Sequence, residues 1–317
     1  MDHGRDRVGE RGAIVSERRE LEDRLHSLAD ISGILGAMKN LALLDIQRLS
    51  RFQSTQRRVV TSIEQTLTDL FTFYPLAVPV PDLTRPVWLL IGSERGFCGE
   101  FNRMVVRAFM AYREEAHDRH VHVVAVGRRL ASMLAHDQPL DATLAGPAVA
   151  EEVQQVLIAL MDRLREFQRQ QTRDCPLDLR ILHHRPDMGR SQVCLRRPLR
   201  LSPERAQGFG FPPLLNLDPL ILTSELFEHY LFAILHEVFY SSLTAENLFR
   251  LQHMDGAIQR LDKHIAELLL RRNVLRQEDI TEEIEIIMLS VEALRASHAT
   301  DAAARSAPVK QEQVDRR

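Results

Sequence analysis

The residues with the most evident chemical potential lie in the segment SERGFCGEFN (93–102). It follows a short apolar run, 86–92, that is typical of a buried strand, and it precedes a helical pattern over 101–116. A turn from a strand into a helix can bind a phosphate through backbone amides, and a helix N-terminus favours a cysteine thiolate. Phosphate binding and nucleophilic catalysis are therefore the two chemistries to consider for this segment.

The spacing of the residues supports neither chemistry. The glycines at 92, 96 and 99 match neither GxGxxG nor a P-loop, and no Lys-Ser/Thr pair follows them. A nucleophilic Cys98 would need a base and a residue to orient that base, and the sequence names neither. We therefore predict a tight structural turn without cofactor. Its characteristic residues are Arg95, Gly96, Cys98 and Gly99.

The histidines also fail to form a recognisable site. His117, His120 and His122 form one group and His183-His184 another, but neither has companion cysteines or carboxylates at metal-ligand spacing. The segment HEVFY (236–240) lacks the second histidine of a zinc-protease HExxH motif. We predict surface histidines, no metal site and no catalytic residues.

Composition excludes several further classes of protein. The 41 Lys+Arg and 44 Asp+Glu give a net charge of -3, which does not support a nucleic-acid-binding protein. The 3 cysteines are far apart in sequence and form no disulfide framework, which indicates a reducing compartment. The N-terminus resembles no signal peptide, and the longest apolar runs are too short to span a bilayer directly.

Hydrophobic periodicity divides the chain into three main parts. Residues 16–75 contain no proline before position 75 and carry apolar residues at alternating spacings of three and four, which predicts one long helix. Residues 84–217 alternate strand and helix patterns and predict an α/β domain with a partly parallel sheet. Residues 218–296 predict a second long helix with heptad spacing. We expect a flexible N-terminus over 1–15 and a disordered tail over 297–317.

The predicted helix lengths favour one architecture. About 75 helical residues span roughly 110 Å, whereas a compact domain of this chain length is about 50 Å across. The economical arrangement is an antiparallel coiled coil of both termini that projects from the α/β domain. The alternative is that both helices break and fold back into a bundle.

Three segments resemble the gamma subunit of F-type ATP synthases and follow one another along the chain in the family's order. The likeness covers nearly the whole chain. The turn 93–102 is similar to the family's SDRGLCGGFN segment, with substitutions at Glu94, Phe97 and Glu100, and Ala37-Met38 with Ala42 resembles its AM-x-x-x-A segment. The matching residues of the last helix are Ser242, Leu243, Glu246, Arg250, Met254, Ala257, Asn273, Arg276, Gln277, Ile280, Thr281, Glu283 and Ile287.

The resemblance implies both a fold and a function. The fold would be an antiparallel coiled coil of the termini on a Rossmann-like domain. The function would be that of the central rotor shaft, which couples transmembrane ion flow to ATP synthesis or hydrolysis without catalytic residues of its own. The implied partners are the alpha and beta subunits, the epsilon subunit and the c-subunit ring. The implied location is peripheral, on the cytoplasmic side of the cell membrane.

The resemblance also implies which residues contact a beta subunit. Arg276, Gln277 and Thr281 match positions that contact a loop of that subunit, and Met38 matches a position facing its acidic lever loop. Arg48 matches one basic residue of the segment that follows. An arginine suits carboxylate pairing because its guanidinium can form two parallel hydrogen bonds.

Several residues depart from the family pattern. Gly36 and Asp45 each stand where the family usually has Lys, and Gln47 stands where it has Arg. Ile286 replaces a Glu and Ser290 a Gly. The basic contact of the first helix is weaker in consequence, which suggests a divergent branch with compensating changes in its partners.

Two rival functions follow from the same patterns. A Rossmann-type nucleotide-binding enzyme would need a glycine-rich phosphate loop and an acidic residue about 20 positions later, and the glycine pattern is absent. A coiled-coil adaptor with an α/β docking domain shares the predicted shape but does not explain the match over 273–281.

Overall fold

The computed structural model describes residues 3–74, 86–115, 121–136, 138–170, 178–187, 190–199 and 211–305. Helix α1 runs His3–Phe73 and helix α5 runs Pro219–Arg305. Between them lie β1 (Val87–Ile91), α2 (Phe101–Glu115), β2 (His122–Val126), α3 (Arg128–Leu134), β3 (Ala142–Leu144), α4 (Val153–Gln170), β4 (Leu179–Asp187) and β5 (Arg190–Arg196). A 3-10 turn, Ala150–Glu152, precedes α4.

Both terminal helices exceed their predicted bounds. The structure starts α1 at His3, whereas the sequence placed 1–15 outside the helix, and no proline interrupts these residues. It continues α5 to Arg305, past the predicted end at 296, because alanines at 299 and 302–304 are strong helix formers. Residues 306–317 of the predicted tail lie outside the described residues. The alternative of broken helices does not hold for α1 or α5 as described.

The chain divides into two compact units. One comprises the residues up to Ile34 together with those from Ile258 onward, and the other is Leu35–Ala257. Within the second unit α1 and α5 are antiparallel, since Lys39 pairs with Asp255 at 2.5 Å and Gln56 donates to the Ala233 carbonyl at 3.0 Å. Residue numbers thus decrease along α5 in the direction in which they increase along α1.

The described strands form one sheet in the order β3-β2-β1-β4-β5. The first four are parallel, and β5 pairs antiparallel with β4. The order confirms the predicted α/β class with a partly parallel sheet. The short strand β3 was not predicted, since its three residues give no usable period.

The sheet is buried on both faces. The side chains of β1 from Val87 to Ile91 are all buried. One face packs on α4 and on the α5 residues Leu235, Phe239 and Leu243, and the other packs on α2 and α3. Continuous apolar strands are what a sheet with two covered faces requires.

Candidate partner-contact surfaces

The turn 93–102 is held by a local network of hydrogen bonds. The Ser93 backbone amide donates to Asn102 Oδ1 at 2.9 Å, and Asn102 Nδ2 donates to Ser93 Oγ at 2.8 Å. Phe97 and Gly99 both have positive φ, 63° and 53°. The backbone reverses within the loop at these two residues, although Phe97 is a residue type that rarely adopts this conformation.

Gly92 and Glu94 fix this turn to its neighbours. A Cβ at Gly92 would lie 2.2 Å from Leu130 Cβ, so only glycine fits between β1 and α3. The Glu94 carboxylate accepts the backbone amides of Arg128 at 3.0 Å and Gly146 at 2.8 Å. Although burial opposes it, these two hydrogen bonds lower the pKa of Glu94.

Helix α5 occupies the crevice that a ligand would need. Phe249 and Ala245 pack on Cys98 and Phe101 at the carboxyl end of β1. In open α/β sheets this edge, where the strand order reverses between β1 and β4, is where nucleotides bind. Side chains of α5 therefore occupy the position at which a Rossmann-type enzyme would bind its ligand.

Three polar residues of α5 are buried against the same turn. Arg250 Nη1 donates to Asn247 Oδ1 at 2.5 Å, and Arg250 also pairs with Glu246. Burial raises the pKa of Glu246 to about 7, and the Arg250 charge opposes that rise. No structural role for these three residues was predicted from the sequence, in which they stand at spacings of three and four among other polar residues.

Cys98 lies in an environment that disfavours a nucleophile. It is 5% exposed, and its thiol donates to Ser93 Oγ at 3.1 Å. Burial raises the pKa of the Cys98 thiol, so the unreactive protonated form predominates at neutral pH. Arg95, Gly96, Cys98 and Gly99 thus lie in a turn whose thiol is held in its protonated form.

The histidines that stood out in sequence serve packing where they are described. Burial lowers the pKa of both His183 and His184 to about 4. His184 stacks on Phe101 at 4.0 Å and hydrogen-bonds the Phe101 carbonyl at 2.9 Å. The prediction of surface histidines is wrong for this pair, because β4 is an interior strand. His117 and His120 lie outside the described residues, and the described residues contain no candidate metal cluster.

The predicted contact residues on α5 are exposed. Arg276, Gln277 and Thr281 are accessible, and the Thr281 hydroxyl donates to the Gln277 carbonyl at 2.8 Å. Leu275 beside them is buried. The structure therefore brings these three side chains to the exposed surface of one helical segment.

Two charged residues of α5 beyond Ile258 form ion pairs with α1. Asp279 forms an ion pair with Arg18 at 2.9 Å, and Arg271 pairs with Glu17 at 2.6 Å. These contacts lie within the unit of residues up to Ile34 and from Ile258 onward. Both ion pairs thus connect the two helices within this unit.

The predicted contact residues on α1 belong to the other compact unit. Met38 is half-buried and Arg48 is exposed. Nearby Lys39 is neutralised by Asp255, so it is less available to an outside partner. A Cβ at Gly36 would meet nothing within 4 Å, so packing does not require a glycine at that position.

Comparison with known proteins decides the family. A family model described as ATP synthase matches residues 17–294. The chain belongs to the ATP synthase gamma-subunit family. Members of this family are non-catalytic, and this chain serves as the central rotor shaft of an F-type ATP synthase, within the peripheral F1 part.

Individual relatives are distant but match along their full length. The chain is similar to an ATP synthase gamma chain of Herpetosiphon aurantiacus, with 23% identity over 88% of this chain and 99% of the relative. A gamma chain of Mycobacterium marinum is 27% identical over 89% of this chain and 99% of its own length.

A solved structure supports the fold of the family. A chain of the Euglena gracilis mitochondrial ATP synthase OSCP/F1/c-ring structure is 14% identical, with a TM-score of 0.58. The match covers 94% of this chain and 99% of that one. At this level of identity the likeness shows the shared fold alone.

The part of α1 from Ser16 to Phe73 is long and apolar enough to cross a membrane by length and composition. No such span was predicted from the sequence, because the unbroken apolar runs are short. Only 11% of the most apolar 18-residue window is buried within the chain. Water-soluble helices pass the same test when they pack on other protein, so the finding alone is weak evidence for a membrane segment.

Proposed function

We propose that this chain turns inside a ring of alpha and beta subunits while its α/β domain binds the epsilon subunit and the c-subunit ring. In this arrangement the complex lies on the cytoplasmic side of the cell membrane and couples ion flow to ATP synthesis or hydrolysis. The proposal rests on family membership and on one observation. Residues 284–294 of α5 include large apolar side chains that are exposed in this chain.

The uncovered side chains are those that a surrounding ring would bury. Ile284, Ile287 and Leu294 are each more than half exposed. An isolated soluble protein gains nothing from such a surface, whereas a partner that encloses the helix removes it from water. The surface is therefore consistent with a helix that works inside other subunits.

Hydrogen bonds and ion pairs with a beta subunit would fix the orientation of the shaft relative to that subunit. We assign Arg276, Gln277 and Thr281 to a loop of a beta subunit and Met38 to that subunit's acidic lever loop. Arg48, a basic residue of the following segment, is assigned to the beta subunit as well. The Arg276 guanidinium suits a carboxylate, and the Gln277 amide and Thr281 hydroxyl add directional hydrogen bonds. At each rotational angle, the shaft then favours one conformation of a beta subunit. The size of that preference is the difference in contact free energy between this conformation and the others.

The test of this assignment replaces two contact residues. Arg276→Ala with Gln277→Ala should change the free energy of unfolding of the chain by less than about 0.5 kcal/mol, because both side chains are exposed. ATPase activity coupled to proton or sodium pumping should fall severalfold in the assembled complex. Arg260→Ala, an exposed arginine elsewhere on α5, is the matched control. Normal coupled activity in the double variant would falsify the assigned contact.

A subunit exchange tests the divergent-branch hypothesis. We expect this chain to couple poorly when it is assembled with alpha and beta subunits from a relative that keeps basic residues at the positions of Gly36, Asp45 and Gln47. Full coupled activity in that hybrid would show that no compensating changes in the partners are needed. Co-purification of the epsilon subunit and c-ring with the tagged chain tests the remaining partners.

A further inference from the structure

A cleft of about 560 Å³ opens between the antiparallel pair β4–β5 and the helices α1 and α5. We call it the ribbon cleft. Its floor is one face of the strand pair, because side chains two residues apart on a strand point to the same side. His183, Arg185 and Asp187 of β4 share that face with Cys194 and Arg196 of β5, and all five line the cleft. The volume suits a ligand of small-molecule size.

Part of the charge in the ribbon cleft is already paired. Arg196 Nη2 lies 3.0 Å from a Glu64 carboxylate oxygen and 4.0 Å from one of Glu237. The Tyr230 hydroxyl also donates to Glu64 at 3.0 Å. These side chains join α1, β5 and α5 to one another, so they form a wall of the cleft and are not available to a ligand.

Three charged side chains of the lining have no such partner. Within the ranges that the structure describes, Arg57, Arg185 and Asp187 form no ion pair, and all three are exposed. The lining as a whole contains three arginines and three carboxylates and has no net formal charge. A ligand with one sign of charge therefore gains little attraction from the cleft, whereas a ligand with both signs can pair with all three of these groups.

A thiol and a buried imidazole face each other on the floor of the cleft. Cys194 is directly opposite His183 in the strand register, which places their Cβ atoms about 5 Å apart. His183 is only 6% exposed, and its Nδ1 donates to the His184 carbonyl at 3.1 Å. Among the described residues nothing donates to His183 Nε2. A buried acceptor without a donor is a position at which a ligand N–H can bind.

We infer that the ribbon cleft is a reversible modification site, at which Cys194 forms a mixed disulfide with a zwitterionic tripeptide thiol of the glutathione class. Such a thiol carries two carboxylates, one ammonium group and two amide N–H groups around its sulfur. The carboxylates pair with Arg57 and Arg185, the ammonium group pairs with Asp187, and one amide N–H donates to His183 Nε2.

The spacing along the strand suits a ligand of this length. Arg185 lies two residues, about 7 Å, along β4 from the position opposite Cys194, and Asp187 lies about 13 Å along it. An extended tripeptide spans about 10 Å. A tripeptide joined to Cys194 through its sulfur therefore reaches both charged groups with the help of their side chains.

The reaction is a thiol–disulfide exchange whose co-reactant is the oxidised, disulfide form of the same tripeptide. The Cys194 thiol loses its proton to water, and the thiolate attacks one sulfur of that disulfide. The S–S bond to Cys194 forms as the S–S bond of the tripeptide dimer breaks, and the released thiolate takes up a proton. Cys194 is thereby oxidised and the released tripeptide is reduced. An excess of reduced thiol reverses the exchange.

Kinetics with three disulfides test this inference. Oxidised glutathione, dicationic cystamine and neutral bis(2-hydroxyethyl) disulfide are each added to the full chain, and peptide mass spectrometry follows Cys194 separately from Cys98 and Cys175. Each rate is divided by the rate of the same disulfide with the urea-unfolded chain, which removes differences in intrinsic reactivity. We expect a rate that saturates with oxidised glutathione and exceeds the normalised cystamine rate at least about tenfold.

Replacing the two arginines supplies the second arm. Arg57→Gln with Arg185→Gln should lower the normalised rate with oxidised glutathione at least about fivefold, because both carboxylate contacts are lost. The rate with the neutral disulfide should stay within about twofold. Arg51→Gln with Arg107→Gln replaces two exposed arginines outside the lining and should change neither rate. Cys98, which is 5% exposed, reports folding because it should stay unmodified in every folded variant.

Several results would overturn the inference. Equal normalised rates for the three disulfides, or a glutathione rate that the arginine pair does not change, would make Cys194 an ordinary surface thiol. A faster rate with cystamine would show that the carboxylates dominate the cleft. No adduct on Cys194 under conditions that modify the unfolded chain fully would also refute the site. The shaft role is independent of these results, because assembly with alpha and beta subunits tests it.

Discussion

Helix α5 has two stretches with opposite surroundings. From Tyr230 to Met254 it buries apolar side chains against the sheet and α1, and it also buries Glu246, Asn247 and Arg250. From Ile258 onward Leu275 is the buried apolar side chain among those described, and large apolar residues beyond it are exposed. The first stretch completes a core within the chain. The second carries apolar surface that requires a partner.

The contrast teaches that apolar periodicity alone does not identify what covers a helix. Both stretches repeat apolar residues at spacings of three and four. The first stretch packs on a sheet of this chain, whereas most of the described apolar side chains of the second are exposed or partly exposed. Substitutions in the first stretch should therefore change the stability of the isolated chain. Substitutions in the second should mainly change how firmly the chain is retained in the assembled complex.

The largest expected effect is the loss of the buried ion pair. Arg250→Ala leaves the Glu246 carboxylate buried without its cation, and we expect the free energy of unfolding to fall by about 3–5 kcal/mol. Denaturant unfolding of the isolated chain measures this. Arg163→Ala, which breaks the exposed pair with Glu166, is the control and should cost less than about 1 kcal/mol. Equal losses would remove the distinction between buried and exposed pairs.

Acid should destabilise the interior of the α/β domain through its histidines. The pKa of His184 is about 4 when folded, below its usual 6.5, so the unfolded chain binds more protons between these values. Stability therefore rises with pH across this window and is lost as pH falls from 6.5 towards 4, by up to about 3 kcal/mol for this residue.

The measurement compares pH profiles of unfolding. The parent chain should lose more stability than His184→Asn between pH 6.5 and 4, because the variant has no imidazole to protonate. His26→Asn, at an exposed position of α1, is the control and should follow the parent. Parallel profiles for the parent and His184→Asn would show that the buried histidine contributes nothing to the pH dependence.

Two apolar residues of α5 beyond Ile258 test whether a buried and an exposed side chain of this stretch contribute differently to stability. Leu275 is 7% exposed and Ile287 is 61% exposed. We expect Leu275→Ala to lower the unfolding free energy of the isolated chain by about 2 kcal/mol, and Ile287→Ala by less than about 0.5 kcal/mol. In the assembled complex Ile287→Ala should also weaken retention of the chain. The idea fails if Ile287→Ala destabilises the isolated chain as much as Leu275→Ala does.

The smallest predicted change is a gain. Gly36→Ala should raise the unfolding free energy by up to about 1 kcal/mol, because an added Cβ meets nothing within 4 Å and alanine favours helix. Gly92→Ala is the contrasting variant and should be strongly destabilising, since its Cβ would overlap Leu130. Thermal or denaturant unfolding of both variants checks this pair, and a loss of stability in Gly36→Ala would contradict the open space around that position.

Much of the architecture was readable from local patterns. The strand-helix order predicted the α/β class, and proline-free amphipathic runs predicted α1 and α5, because their periods extend over many turns. Strand β3 was missed because three residues carry no period. The helix ends were misplaced because capping signals at 1–16 and after 296 are weak.

The candidate sites were predictable only in part. The residues 273–281 were found through resemblance, and the contact roles of Arg276, Gln277 and Thr281 remain a prediction. The stacking of Phe52 on Tyr240 was not predicted from the sequence, because the two residues are 188 positions apart and nothing local indicates their contact. The burial of His183 and His184 was also not predicted, since α5 and α2 cover the two faces of β4 through tertiary contacts that the sequence pattern does not indicate.

The amino-acid sequence by itself determined which segments are helix or strand and which family the turn and the last helix resemble, because propensity and period act over neighbouring residues. The tertiary structure decided what fills the edge of the sheet, where Phe249 of α5 packs on Phe101. It also decided that Glu246 and Arg250 are buried, while the arginines of α1 from 48 to 58 are left exposed. These outcomes depend on contacts between residues far apart in the chain, and local pattern carries no information about such distances.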